Sequence, residues 1–208
     1  MLAEKITKEN VMADLKNHEV VAEIDPVQPI VDIINIALER NDYKTFRNGL
    51  AAITNSTNKI LQENQFKRWE ERNVTFHIII QLKKIGIQAA NKKNEDSMRL
   101  VINNLEKIGS VSVKNYEDTV INIIQTLFIL GDSAFEHKFR LIQQQIIIFL
   151  QYIGMETTNE TIVTNIQQEL KKMRIMAIKQ NLNHTVLDVE SALKRLKNKA
   201  EENNCKEF

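Results

Sequence analysis

The side chains in this sequence that could do chemistry are its paired acids, four histidines and a single cysteine. Glu95–Asp96 and Glu117–Asp118 are adjacent carboxylates of the kind that serve as general acid and base or hold a metal ion, and Glu136 and Glu160 are further candidates. Each follows a residue suited to a helix N-cap: Asn94, Asn115, Ser133, and Thr157 or Asn159. Asn183 offers the same signal before the last segment. Negative charge in a first turn complements the helix dipole, and Ser133…Glu136 and Thr157…Glu160 have capping-box spacing. The acids are therefore read as helix starts rather than as a site. His18, His77, His137 and His184 have no Glu three residues before them, no His-Glu-x-x-His pattern and no cysteine nearby, so di-iron and zinc chemistry have no support. Cys205, in the polar stretch ENNCKEF, is a poor nucleophile candidate and has no disulfide partner in the chain. No phosphate-binding glycine loop and no Gly-x-Ser-x-Gly elbow occur. The expectation is no catalytic residue, no metal, no cofactor and no enzyme activity, although a site assembled from distant residues leaves no such trace.

The bulk numbers are ordinary for a globular protein. The 208 residues carry 28 basic and 27 acidic side chains, a formal charge of +1. Neither nucleic acid nor an anionic membrane surface is favoured by such a balance. Acids intersperse Lys83–Lys84, Lys92–Lys93, Lys171–Lys172 and Lys194–Arg195; the densest basic run, Lys194 to Lys199, also reads as a solvated helix end. No apolar run approaches the roughly 20 residues that span a bilayer. The expected location is the cytoplasm, as a free protein or as the soluble part of a membrane-associated one, without direct membrane insertion.

Two prolines and five glycines are too few to punctuate a β-fold, and good helix formers fill the stretches between breaks. The sequence predicts an all-α fold: eight or nine antiparallel helices stacked as a short helical repeat. Asp25, Pro26 and Gln28 combine an N-cap, a proline at N1 and a capping-box glutamine. They set the start of the domain, 25–200. Residues 1–24 are expected to form an extra helix and linker, and 201–208 a disordered tail. Helices are predicted from Pro26 to a break at RNDY with Asp42 as cap, from Tyr43 past Ile53, and from Phe66 to Ala90. Others span Ser97–Val113, Thr119–Leu130, Phe139–Tyr152, Thr161–Gln180 and Thr185–Ala200.

Within these helices a short unit recurs: Leu82-x-x-Ile85-Gly86, Leu105-x-x-Ile108-Gly109, Leu127-x-x-Leu130-Gly131 and Leu150-x-x-Ile153-Gly154. The glycines stand 23, 22 and 23 residues apart, one helix plus a turn. Ala177 extends the series, and Leu50 to Thr54 is a possible earlier copy. Leucine and isoleucine at spacing three face the core, and a glycine beside them admits a neighbouring helix. Since an interior glycine costs about 1 kcal/mol against alanine, packing must offset it. Gly86 is expected inside its helix, because Ile87, Ala89 and Ala90 continue the stripe. Gly131, followed by Asp132 and Ser133, fits either an interior position or a C-terminal cap.

The stretch LKKIGIQAANKKNEDSMRLVINNLEKIG resembles degenerate prokaryotic HEAT or armadillo repeats over residues 74–180, without the proline typical of a HEAT first helix. The resemblance implies a curved helical stack that binds other proteins. DPVQPIVDIINIAL…NDYKT resembles soluble helical segments of prokaryotic membrane proteins. The leading expectation is a non-enzymatic scaffold for another protein. The alternative is a ligand-sensing or regulatory helical domain associated with a membrane protein. Phe66, Arg68 and Trp69 form the candidate partner surface, aromatic and arginine side chains being common interface anchors; core packing is the competing role for Trp69. The nearly all-apolar segment from Ile146 to Ile153 predicts a central buried helix, with a homo-oligomer interface as the alternative.

Overall fold

The computed structural model describes the backbone of residues 27–62 and 69–204, and the side chains of 27–62 and 73–202. Among these residues lie eight helices and no strand: α1 (Gln28–Glu39), α2 (Tyr43–Gln62), α3 (Trp69–Asn91), α4 (Glu95–Ser112), α5 (Glu117–Glu136), α6 (Arg140–Glu156), α7 (Glu160–Lys179) and α8 (Asn183–Asn204). Each packs against the helices one and two places along the chain. Odd-numbered helices thus form one layer and even-numbered helices the other, which is the two-layer arrangement of a helical solenoid.

The connections show where the repeat lies. Asn41, Lys93, Lys138 and Asn181 all have positive φ, between 54° and 59°. Each sits between an odd helix and the following even one. At every such turn the next amide reaches back five residues: Asp42 to Ala37, Asn94 to Ala89, Phe139 to Ala134 and Leu182 to Ala177, all at 2.9 Å. This is the Schellman closure of a helix C-terminus, made here without glycine. An alanine stands four residues before the left-handed residue each time, and all four alanines are buried. The repeating unit is therefore a helical hairpin. Lys93 to Lys138, Gly86 to Gly131 and Gly109 to Gly154 all measure 45 residues, so the 22–23-residue step is two interleaved 45-residue series.

Several predicted boundaries move. Gly86 and Gly131 lie inside helices, and among the described residues no glycine has positive φ. α5 therefore runs six residues past Leu130, so Ser133 lies inside it and Glu136 is its last residue, and the two do not form a capping box. The actual cap positions are Phe139 and Tyr116, neither bonding through its side chain, so Asn115 is not a cap. Asn94 does cap, its side chain accepting from Ser97 N at 2.9 Å, and Asn159 accepts from Thr161 N and Ile162 N. Asp42 Oδ1 accepts from Thr45 N at 3.0 Å, as expected of a cap. Gln28 reaches forward to Asp32 at 2.7 Å instead of back into a capping box; Asp25 and Pro26 lie outside the described residues. Asn183 is the first residue of α8, whose opening turn closes on the Leu182 carbonyl. At the other end α8 continues to Asn204, past the expected end at residue 200, with Lys197 and Glu201 paired one turn apart at 3.5 Å. The expected helix at 1–24 and residues 205–208 lie outside the described residues.

Candidate functional site

The repeated side chains build the core and no pocket. Leu82, Ile85, Leu105, Ile108, Leu127, Leu130, Leu150 and Ile153 are all buried. Each of the four glycines receives a side chain from the helix two places on. A methyl group at Gly86 would lie 2.7 Å from Leu130 Cδ2, and at Gly109 2.6 Å from Phe149 Cζ. At Gly131 it would lie 2.5 Å from Met173 Cε, and at Gly154 2.6 Å from Leu196 Cδ2. The glycines are where successive hairpins dock sideways. In this frame the residue corresponding to Gly86 and Gly131, seven before the left-handed turn, is Arg174 in the last hairpin. Ala177 instead matches Ala89 and Ala134, which corrects its place in the glycine series. By the same logic Thr57, fifteen residues after its cap as Gly109 and Gly154 are, is the α2 member rather than Thr54.

Polar side chains stitch the layers at a few buried points. Thr54 Oγ1 donates to Asn104 Oδ1 at 2.8 Å, joining α2 to α4. Gln143, fully buried, donates to Ala134 O at 3.2 Å and accepts from Thr185 Oγ1 at 3.3 Å, linking α5, α6 and α8. Lys199 donates to Gly154 O at 3.0 Å and Thr157 O at 2.6 Å, placing an ammonium on the negative end of the α6 dipole. Burial still pulls its pKa below the usual lysine value.

Beside the Thr54–Asn104 tie, a half-open groove of about 690 Å³ runs between α2 and α4. Its walls carry Arg47 and Asn58 from α2 and Asn103, Glu106, Lys107 and Ser110 from α4; Ala51 and Leu100 add an apolar strip. Glu106 Oε1 accepts from Gln145 Nε2 of α6 at 3.1 Å. Burial raises the Glu106 pKa, and the Gln145 bond offsets this only in part. Asn58 Oδ1 is buried with no hydrogen-bond partner among the described residues. Sequence reasoning missed these residues. The available signal was Asn103–Asn104 inside an apolar helical stripe, where asparagine is a poor helix former and needs another reason to be present.

On α6 the inner face is buried through Ile142, Ile146, Ile147, Phe149, Leu150 and Ile153. The opposite face is nevertheless apolar: Leu141 and Ile148 are 55% and 57% exposed, and Tyr152 and Met155 37% and 38%. These four fall at i, i+7, i+11 and i+14, a single stripe. Leu187, on the adjacent α8, is 61% exposed. The central helix thus has both characters weighed from its sequence, a buried face and an unpartnered apolar one.

Of the predicted partner surface, Phe66 and Arg68 lie outside the described residues, and Trp69 is described only as the first backbone position of α3. His77 contacts Gln81 at 2.9 Å and His137 Nδ1 contacts Ser133 O at 2.9 Å. His184 is exposed at the start of α8, and His18 lies outside the described residues. Among the described residues no three His, Cys, Asp or Glu side chains gather as a metal site would require, and no helix is long and apolar enough to cross a membrane.

No protein-family model and no curated protein matches the sequence. Several solved structures share the fold, among them two whose titles name filaments. One, titled "DHF46 filament", has a TM-score of 0.62 at 14% identity, covering 92% of this chain and 98% of that chain. The other, titled "DHF91 filament", has a TM-score of 0.64 at 15% identity, covering 83% of this chain and 96% of that chain. At such identity the likeness concerns the fold alone: the chain is an all-α protein of repeated helical hairpins.

Proposed function

We propose that this protein is a non-enzymatic interaction module of the helical-repeat type, HEAT- or armadillo-like in character, that holds another protein against its even-numbered layer. The observation that carries this reading is the exposed stripe of Leu141, Ile148, Tyr152 and Met155 on α6. No charge interrupts α6 between Arg140 and Glu156, so a partner meets an apolar stripe bordered by glutamines. An aromatic among aliphatic side chains on a rigid helix is a common form of binding anchor. The test compares the wild-type protein with the Ile148→Glu, Tyr152→Ser double variant by affinity capture from its native source, with light scattering on both. A partner retained by the wild type and lost by the folded variant supports the reading. Recovery of the same proteins by both forms counts against it.

The second reading is a ligand-sensing domain, favoured by the α2–α4 groove with its convergent charged and amide side chains. A small molecule that co-purifies with the protein in the absence of any protein partner would shift the choice to it.

A further inference from the structure

The α2–α4 groove combines one unmatched acceptor and one unpaired carboxylate with two cations that form no ion pair among the described residues. Glu106 is half-buried, and among the described residues it forms no ion pair; its hydrogen-bond donor is the neutral amide of Gln145. Asn58 Oδ1, on the opposite wall, is buried without a donor among the described residues. A buried acceptor left unmatched costs about 1–3 kcal/mol, and more when charged. Asn58 Oδ1 is such a group, and beside it the charged, half-buried Glu106 has a single neutral donor, so the groove has room for further donors.

The register places them at the same level. Thr54 pairs with Asn104, and in parallel α2 and α4 the residue one turn past Thr54, Asn58, falls level with Glu106 to Ser110. The groove also carries Lys107 and Arg47, neither of which forms an ion pair among the described residues. A simple cation would be drawn to Glu106 but repelled by these two. A simple anion would meet Glu106. A molecule with both charges close together satisfies Glu106, Asn58 Oδ1 and Lys107, with Arg47 farther along the groove.

We infer that the α2–α4 groove binds a small zwitterion of the amino-acid class, its ammonium on the Glu106 carboxylate and Asn58 Oδ1 and its carboxylate on the Lys107 ammonium. Ala51 and Leu100 line the path from this end of the groove towards Arg47, giving an aliphatic portion an apolar surface. A volume of about 690 Å³ lies within the range of small-molecule sites. This site is on different helices from the α6 stripe and does not depend on the scaffold reading.

The experiment is calorimetric titration of the full chain with the common free amino acids. For any that bind, it is repeated with the N-acetyl derivative, which lacks the ammonium, and the carboxamide, which lacks the carboxylate. Binding of at least one free amino acid is expected, weakened about tenfold or more in each derivative and in each of the Glu106→Gln and Lys107→Gln variants. Lys107 is exposed, so its variant keeps the fold even if Glu106→Gln disturbs the contact with Gln145. No heat from any amino acid overturns the inference. So does a carboxamide that binds as tightly as its parent, or affinity unchanged in both variants.

Discussion

The hairpins α5–α6 and α7–α8 share one turn, one buried alanine and one backbone geometry, yet differ at the position seven residues before the turn. In α5 that position is Gly131, against which Met173 of α7 packs. In α7 it is Arg174, whose guanidinium pairs with Glu190 of α8 at 2.7 Å. Gly131 serves a neighbour on its far side; after α7 and α8 no further hairpin follows among the described residues, and an ion pair spans the end. The difference shows that glycine here is a docking feature between hairpins. The hairpin itself does not need it. Packing inside a hairpin is a separate matter and works by exchange: in the first hairpin Ile34 occupies the glycine position of α1, and the small residue appears across from it on α2 as Gly49. In the next two hairpins the order is Gly86 against Val101 and Gly131 against Ile146. One large and one small residue suffice, in either order.

This account can be broken most sharply in the first hairpin. Ile34→Ala empties a fully buried site and is expected to cost about 2–4 kcal/mol. Gly49→Ala alone is also destabilising, because its new methyl would lie 2.5 Å from Ile34 Cγ1, a branch close to the backbone. Made in the Ile34→Ala background it should recover stability, and chemical denaturation of the full cycle should give a coupling of about 1–3 kcal/mol. Additive effects would disprove the exchange.

The docking glycines should next divide by what they face. Gly109→Ala meets the rigid Phe149 ring and is expected to lose about 1–3 kcal/mol. Gly131→Ala meets the flexible end of Met173, and its gain in helix propensity of about 1 kcal/mol should bring it close to wild type in the same assay.

The turns offer a smaller, opposite effect. Lys93 and Lys138 hold a left-handed conformation at a cost, so Lys138→Gly should raise stability by about 0.5–1 kcal/mol. The same change at Asn181 should gain less, since asparagine tolerates this region better.

The smallest effect is a pH dependence at the first turn. Hydrogen bonds from Thr45 hold the Asp42 carboxyl below its ordinary pKa. A carboxylate whose folded value is depressed contributes stability above its unfolded value and loses it as the pH falls through the folded one. Melting curves between pH 6 and pH 2 should therefore show a slightly shallower decline for Asp42→Asn, whose amide oxygen can still accept from Thr45 N.

The fold is most legible in the sequence where hydrophobic period and polar caps coincide. The all-α class, the stripe positions from Leu82 to Ile153, the interior place of Gly86 and the caps at Asp42 and Asn94 are all legible, and Asn159 is one of the two caps that the sequence offers for α7. It is hidden where the chain uses unconventional residues for conventional geometry. Lys93 and Lys138 adopt the conformation that usually signals glycine, while Gly131-Asp132-Ser133 resembles a helix end and is not one. The groove was illegible for another reason. Arg47, Asn58 and Glu106 are separated in sequence and meet only because α2 and α4 lie side by side, so no local pattern announces them. The α6 stripe was half visible: an all-apolar segment shows that both faces want cover, without showing which one the protein itself provides.

The restriction of packing to helices one and two places away bears on how the molecule is made. Each hairpin packs only on the hairpins directly before and after it, so the emerging chain can consolidate from its N-terminal side, one pair at a time, while the remainder is still being synthesised. Contacts of such short sequence separation also favour rapid folding. The left-handed turns at Asn41, Lys93, Lys138 and Asn181 then mark the joints at which each newly added pair can be completed.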